Sequence, residues 1–361
     1  MHTPTIVRSG HIIVAVALIS FFLKACNDIP QTPHEPGPPW VVFNTGNGLL
    51  HTNMIRGIAV DFLGKAWIAT DSGAYAYFGG AWELYRDSIV ARNFGLQIVT
   101  SVAVGGMRSA WFGLMGGGVI RIDRESSFGI VKRYTELDGL ANDVVLSVTS
   151  DGTLLGEIYC AGLYGVSRFT PNRISVGTTS EGSWKTYNNQ NSSLPTNLIR
   201  SVAGNYIDNT IWFGTHDAGA VSYDGGHLWI QYPLPDAYQS PIVSIAFDNS
   251  GTVWFGKWDG VSALDARTAV WKRHYTFETT GGKLPPGIVN AVATDGQQTR
   301  WFGTRRGLVQ LRDTTWSTFH PGNSPLPSDT VTTLFYDIVS HNLWIGTSTG
   351  AAVYNENGVL F

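Results

Sequence analysis

The apolar positions of this chain do not recur at the spacing of an amphipathic helix. They alternate with polar or small residues in short runs broken by Gly, Asn and Asp, a pattern that predicts short strands buried on one or both faces. One run returns throughout: an aromatic residue, usually Trp, then Phe or Ile, a small residue, often Thr, and then a Gly and an apolar stretch. It reads WIATDSGAYAY from Trp67, WFGLMGGGVIRI from Trp111 and YCAGLYGVSRF from Tyr159. It continues as WFGTHDAGAVSY from Trp212, WFGKWDGVSAL from Trp254, WFGTRRGLVQL from Trp301 and WIGTSTGAAVY from Trp344. The anchors advance by 44, 48, 53, 42, 47 and 43 residues. A period near 45 residues, built of short alternating segments separated by Gly turns, predicts an all-β fold, a seven-bladed β-propeller.

Each repeat divides into four short strands. In the fifth, PIVSIAF (Pro241 to Phe247) is innermost, TVWFG second, GVSAL third and AVWKRHY outermost. Outer strands begin near Trp40, Trp82, Val131, Trp184, Leu228, Trp271 and Trp316, seven for seven anchors. The first precedes every anchor, and the last repeat reaches Phe361 without an outer strand of its own. The strand at Trp40 is therefore expected to complete the blade whose inner strands run from about Asp329 to Tyr354, since an unclosed ring would leave two exposed edges. The Gly or Ala two places after each anchor is expected to let the neighbouring blade approach closely. The third repeat departs from the pattern, with Tyr159 as anchor and a longer excursion from Thr170 to Ser183. That excursion reads either as loop decoration or as a side where a partner docks.

Composition narrows the class. Of 361 residues, 43% are hydrophobic and only 14% charged, with 42 Gly and 13 Trp, the balance of a turn-rich, aromatic-packed protein. The net charge of −3 and the absence of a Lys/Arg cluster argue against a nucleic-acid partner. Residues 1–25 read as a leader, because Ile12 to Leu23 is an apolar stretch of signal-peptide length. It ends in Leu23-Lys24-Ala25-Cys26, which resembles the lipobox of bacterial lipoproteins, although Lys24 stands where a small residue is usual. Lipidation of Cys26 is the expectation, with plain secretion as its rival. Residues 26–39 then form a Pro-rich tether and residues 40–361 the propeller, placing the protein in the bacterial cell envelope and on the membrane through its lipid anchor only. No disulfide is expected between Cys26 and Cys160, and Cys160 reads as a small buried hydrophobe.

The pattern W-[FI]-G-T-x-x-G-[LV]-x-x-[LY], preceded by an inner strand and D-x-x-G, resembles the two-component regulator propeller repeat. The resemblance covers Trp40 to Phe361. In that family such repeats form periplasmic sensor domains, often paired propellers before a membrane helix and a histidine kinase, and many respond to oligosaccharides. This sequence holds one propeller with no kinase, so the resemblance implies a stand-alone binding lipoprotein. It is specific as a repeat signature and weak as a statement of function.

In a propeller, the loops between second and third strands gather on one face around the central channel. Here they are Asp71 and Ser72, Met115 and Gly116, Leu163 and Tyr164, His216 and Asp217, Trp258 and Asp259, Arg305 and Arg306, and Ser348 and Thr349. Unlike the strands, these positions do not repeat, as expected either of a binding site grafted on loops or of drift at exposed turns. Tyr164 and Trp258 offer flat rings for stacking on a sugar or aromatic ligand. Arg305 and Arg306 offer bidentate contacts to a carboxylate, with Lys257 on the neighbouring blade, and Asp71, Asp217 and Asp259 offer acceptors for hydroxyls.

No GxSxG, HExxH, CxxC or phosphate-loop motif occurs, so neither a cofactor nor a metal is expected. The D-x-x-G pairs at Asp61 and Asp248 read as turn formers rather than calcium ligands. The leading reading is a monomeric recognition module whose channel-mouth loops bind a ligand, foremost a glycan. The second is a scaffold docking another envelope protein. The third is a propeller lyase or hydrolase with His216 as base beside Asp217 or Asp259.

Overall fold

Alternating segments separated by turns close into one ring of sheets. The computed structural model describes residues 37–47, 50, 52, 54–85, 98–106, 109–123, 130–153, 156–172, 182–235 and 239–361. The leader, Cys26, most of the tether and the middle of the Thr170–Ser183 excursion lie outside the described residues. Among those described, 28 strands form seven antiparallel sheets of four, accompanied only by two single-turn 3-10 segments, Thr45–Asn47 and Glu136–Asp138. The first blade comprises Ile55–Val60, Ala66–Thr70, Gly73–Phe78 and Ala81–Tyr85, paired in chain order. The inner strands of blades two to seven begin at Val99, Val145, Ile199, Ile242, Val289 and Val331.

Closure follows the expected route. Trp40–Phe43 is the outer strand of blade seven, pairing antiparallel with Gly350–Tyr354 from Trp40↔Tyr354 to Phe43↔Ala351. Both ends of the propeller are thereby hydrogen-bonded into one sheet, and the edge that a three-stranded blade would expose is covered. The C-terminal residue adds to the join, with the Phe361 ring 4.9 Å from Tyr77 and 5.7 Å from Trp344.

The core lies between blades. Each apolar cluster draws on two neighbouring sheets, for example Trp111 and Val119 of blade two with Val145, Cys160 and Phe169 of blade three. Anchor rings lie flat on a partner within their own sheet: Trp111 on Tyr134 at 5.6 Å and Trp212 on Tyr232 at 4.9 Å. Such pairs add about 0.5–1.5 kcal/mol to the area they bury. The small residue after each anchor sets the spacing. A Cβ at Gly214 would lie 2.5 Å from Ile242 Cγ2, and one at Gly346 would lie 2.7 Å from Ile55 Cγ2, in each case on the next blade. Cys160, occupying the place of Phe or Ile, is buried, and burial pushes its thiol pKa up, consistent with a packed and unreactive side chain.

A second repeated signal lies in the long connections from each outer strand to the next inner strand. Leu50, Leu140, Leu194, Leu234, Leu284 and Leu326 are all buried, so six of these loops carry an apolar plug. Their turns are closed by side-chain caps: the Asn191 carboxamide oxygen accepts from Asn188 N–H at 2.8 Å, and that of Asn323 from His320 N–H at 2.8 Å.

Candidate functional site

The loops at the channel mouth stand on rigid hairpins. In four blades the strand leading into the hairpin ends in a buried Thr whose hydroxyl donates back across the turn, Thr70 to Gly73 O, Thr215 to Gly219 O, Thr304 to Gly307 O and Thr347 to Gly350 O, at 2.7–2.9 Å. The closing Gly adopts a positive φ (133° at Gly73, 113° at Gly307, 146° at Gly350), open to glycine at no steric cost. Two hairpins are also tied to the connection entering the next blade, through Gly165 N–H to Asn197 O at 2.9 Å and Gly307 N–H to Asp329 O at 2.7 Å, and that of blade four to the connection entering its own, through His216 N–H to Leu198 O at 2.9 Å. The two residues at each tip are thus presented on fixed backbone.

Tyr164 and Trp258 are exposed, at 59% and 43%. Asp217, Arg305 and Arg306 are also exposed, and no ion pair is recorded for them among the described residues. Asp71 is held by the Arg56 guanidinium. His216 lies edge-on to the Trp258 ring, 5.6 Å between centroids. Tyr164, His216–Asp217, Trp258–Asp259 and Arg305–Arg306 occupy blades three to six, and Asp71 lies apart from them on blade one.

Lys257 departs from the expectation that it supports the Arg pair. It occupies the place taken by Thr in blades one, four, six and seven, pairing across the hairpin with Gly260, and its side chain is fully buried. Its ammonium meets Asp259 Oδ1 at 3.2 Å. Burial lowers its pKa, and Asp259 opposes that shift. Beneath it, His274 places Nε2 3.8 Å from Asp259 Oδ2 and shares a 2.9 Å hydrogen bond between Nδ1 and the Ser262 hydroxyl. Burial first, and then the Lys257 charge, lower the His274 pKa. This Ser–His–Asp sequence has no access to a substrate, since Ser262 is fully buried. Its physical consequence is to fix Asp259, and with it the hairpin carrying Trp258.

A ring of residues that sequence reasoning missed surrounds the channel below these tips. Every inner strand carries an irregularity at the same place, skipping Arg56, Thr100, Leu146, Arg200, Val243, Asn290 and Thr332 in the pairing register. Three of these side chains bond the next blade: Thr100 to Val145 O, Asn290 to Val331 O and Thr332 to Ile55 O. The two arginines turn to the mouth instead. Arg200 Nε lies 3.3 Å from His216 Nδ1, and its guanidinium stands over the Trp258 ring at 5.7 Å. The available signal was a polar residue directly after the first buried residue of the inner strand in five of the seven blades, at Arg56, Thr100, Arg200, Asn290 and Thr332.

The D-x-x-G aspartates lie at the other end of the blades and form turns. Asp61 accepts the Leu63 and Lys65 N–H groups and the Trp67 indole N–H, and Asp248 does the same for Ser250, Thr252 and Trp254. Among the described residues, no group of three or more His, Cys, Asp or Glu is placed to hold a metal ion.

No family model matches this sequence, and no curated protein matches it. Solved structures do. The extracellular domain of BT4673 from B. thetaiotaomicron, described as a hybrid two-component system, aligns over 91% of this chain with a TM-score of 0.68 at 17% identity. The corresponding domain of BT3049 from the same organism aligns over 89% with a TM-score of 0.68 at 16% identity. This chain spans about two fifths of each of those chains, 40% and 42%. YCF48, in a structure described as bound to D1 peptide, aligns over 89% of this chain and 99% of its own at a TM-score of 0.61 and 12% identity. The propeller fold is therefore shared with bacterial extracellular domains and with a peptide-bound protein. At these identities the likeness extends to the fold alone.

Proposed function

We propose that the channel mouth between blades three and six binds an anionic glycan, and that the protein is an exported recognition module of the bacterial envelope. The observation that carries this reading is the cluster of Arg200, His216 and Trp258, which brings a guanidinium, an imidazole and a half-exposed indole from two blades to one place. A flat apolar ring beside charged hydrogen-bond donors suits the apolar face of a pyranose and a carboxylate on its rim. Arg305 and Arg306 extend the positive side on the next blade, against Asp217 as the exposed acid on blade four. Asp71 and Asp259 face the same mouth already paired with Arg56 and Lys257. Membership in the two-component regulator propeller repeat family, and lipidation at Cys26, belong to this proposal. Support comes from the repeat motif and from the extracellular domains that share the fold.

Thermal unfolding of residues 38–361 in the presence of oligosaccharides, with and without uronic acids, tests the site. A ligand at about 100 times its dissociation constant adds roughly 2.7 kcal/mol to stability. A saturable stabilisation by acidic oligosaccharides is expected, lost in Trp258→Ala and weakened at least tenfold in Arg200→Gln. No stabilisation by any saccharide overturns the glycan reading and favours protein docking on the same loops. Incorporation of labelled palmitate into the full chain, lost in Cys26→Ser, tests the anchor.

A further inference from the structure

A cavity of about 250 Å³ lies between blades six and seven at the end of the ring opposite the Arg305–Arg306 hairpin. It is lined by Asp295, Trp301, Arg312, Tyr336, His341 and Glu356, among others. Four of the other five anchor tryptophans show the contrast. At Trp67, Trp111, Trp212 and Trp254 the indole N–H donates within its own blade, to Asp61, Ser109, Thr210 and Asp248 at 2.9–3.0 Å. Trp301 is 4% exposed, and its indole nitrogen is buried with no hydrogen-bond partner among the described residues. A buried donor without an acceptor is unfavourable, because it has given up water and gained nothing in return. Asp295 precedes Trp301 by the same interval as Asp248 precedes Trp254, yet the bonds it accepts come from the Gln297 and Thr299 N–H groups at 2.8 and 3.0 Å.

We propose that this cavity binds a single neutral pyranose ring, a site separate from the channel mouth. A ring or hydroxyl oxygen accepts from Trp301 Nε1, and sugar hydroxyls donate to the carboxylates of Asp295 and Glu356. Glu356 is held on the cavity rim by Arg312, whose guanidinium meets both its oxygens at 3.0–3.1 Å and whose Nε also reaches Thr299 Oγ1 at 3.3 Å. The Tyr336 ring, stacked on Trp301 at 5.2 Å and joined to His341 Nδ1 at 3.1 Å, supplies apolar area with a polar edge. Size and charge choose the class. The volume falls below that of sites for drug-sized ligands and suits one ring rather than a chain. With two carboxylates against one guanidinium, the lining disfavours an acid and accepts a neutral polyol.

Indole N–H resonances of the ¹⁵N-labelled propeller, residues 38–361, report on this site directly, with the Trp301 signal assigned by its loss in Trp301→Phe and by backbone-linked experiments on the unaltered protein. D-glucose, D-galactose and D-mannose are the probes. The expected result is a saturable shift of the Trp301 resonance with at least one of them. Affinity should be weakened at least tenfold in Asp295→Asn and Glu356→Gln and unchanged in Trp258→Ala. No movement of the Trp301 resonance with any of the three, or movement that persists unaltered in both carboxylate variants, overturns the proposal. Because acidic oligosaccharides and Trp258 report on the channel mouth, failure at one site is read independently of failure at the other.

Discussion

Single residues set the distance between blades and the state of the buried charges. Gly214 is the clearest spacer, because an added Cβ would also meet the Ile242 carbonyl oxygen at 2.8 Å, a backbone atom that can yield only if the blades separate. Gly214→Ala is expected to lower stability by about 1–3 kcal/mol, as overpacking does. A denaturant midpoint equal to that of the unaltered protein would show that the interface gives way without cost. The His274 prediction concerns pH. Its pKa is depressed in the folded state by burial and by Lys257, so between the folded and unfolded values the unfolded chain binds the extra proton. Stability therefore falls as pH drops below the ordinary His value of 6.5, until the folded pKa is passed. Unfolding measured from pH 7.5 to pH 5 should show a steeper decline in the unaltered protein than in His274→Gln, and parallel curves would refute the assignment. The spacer could be read from its place after each anchor. The Lys257–Asp259–His274 cluster could not, because burial of Lys257 depends on a hairpin slot that the sequence fills with Thr elsewhere.

At the scale of the strand and turn, the Asp248 turn joins two blades. Its carboxylate accepts from Ser250, Thr252 and Trp254 and also from Arg300 of blade six at 2.9 Å. Burial pushes its pKa up, but these donors outweigh burial and hold it below the usual carboxylate value. Arg300 in turn lies over the Trp254 ring at 5.1 Å. Removing one partner of such a buried pair strands the other, so Asp248→Ala is expected to cost about 3–5 kcal/mol, measured by chemical denaturation. A loss below about 1 kcal/mol would mean that Arg300 finds water. The turn-forming role of this aspartate was legible from D-x-x-G and its place between strands, whereas the link to Arg300 joins segments 52 residues apart and needed the packed ring. The same division holds at the mouth. Tyr164 and Trp258 were visible as variable hairpin tips, while Arg56 and Arg200 sat unnoticed inside strands because a register irregularity turns them out of the sheet.

For the whole ring, closure is the decisive event. Deleting residues 1–43 removes the strand that pairs with Gly350–Tyr354 and exposes that edge. The shortened chain is expected to unfold at lower temperature and to self-associate, as read by calorimetry and light scattering. A monomer of unaltered stability would show that the closing strand is dispensable.

The repeat alone determined the number of blades, the order of strands within them and the join between the termini, because each of these follows from local alternation, turn chemistry and the need to cover an edge. Only the tertiary structure decided which side chains meet. Arg200 reaches Trp258 on the next blade, Lys257 lies buried while Arg305 and Arg306 remain exposed, and the Trp301 indole has no acceptor beside it among the described residues. Those outcomes depend on contacts between segments distant in the chain, and a one-dimensional pattern carries no record of the angle at which neighbouring sheets pack.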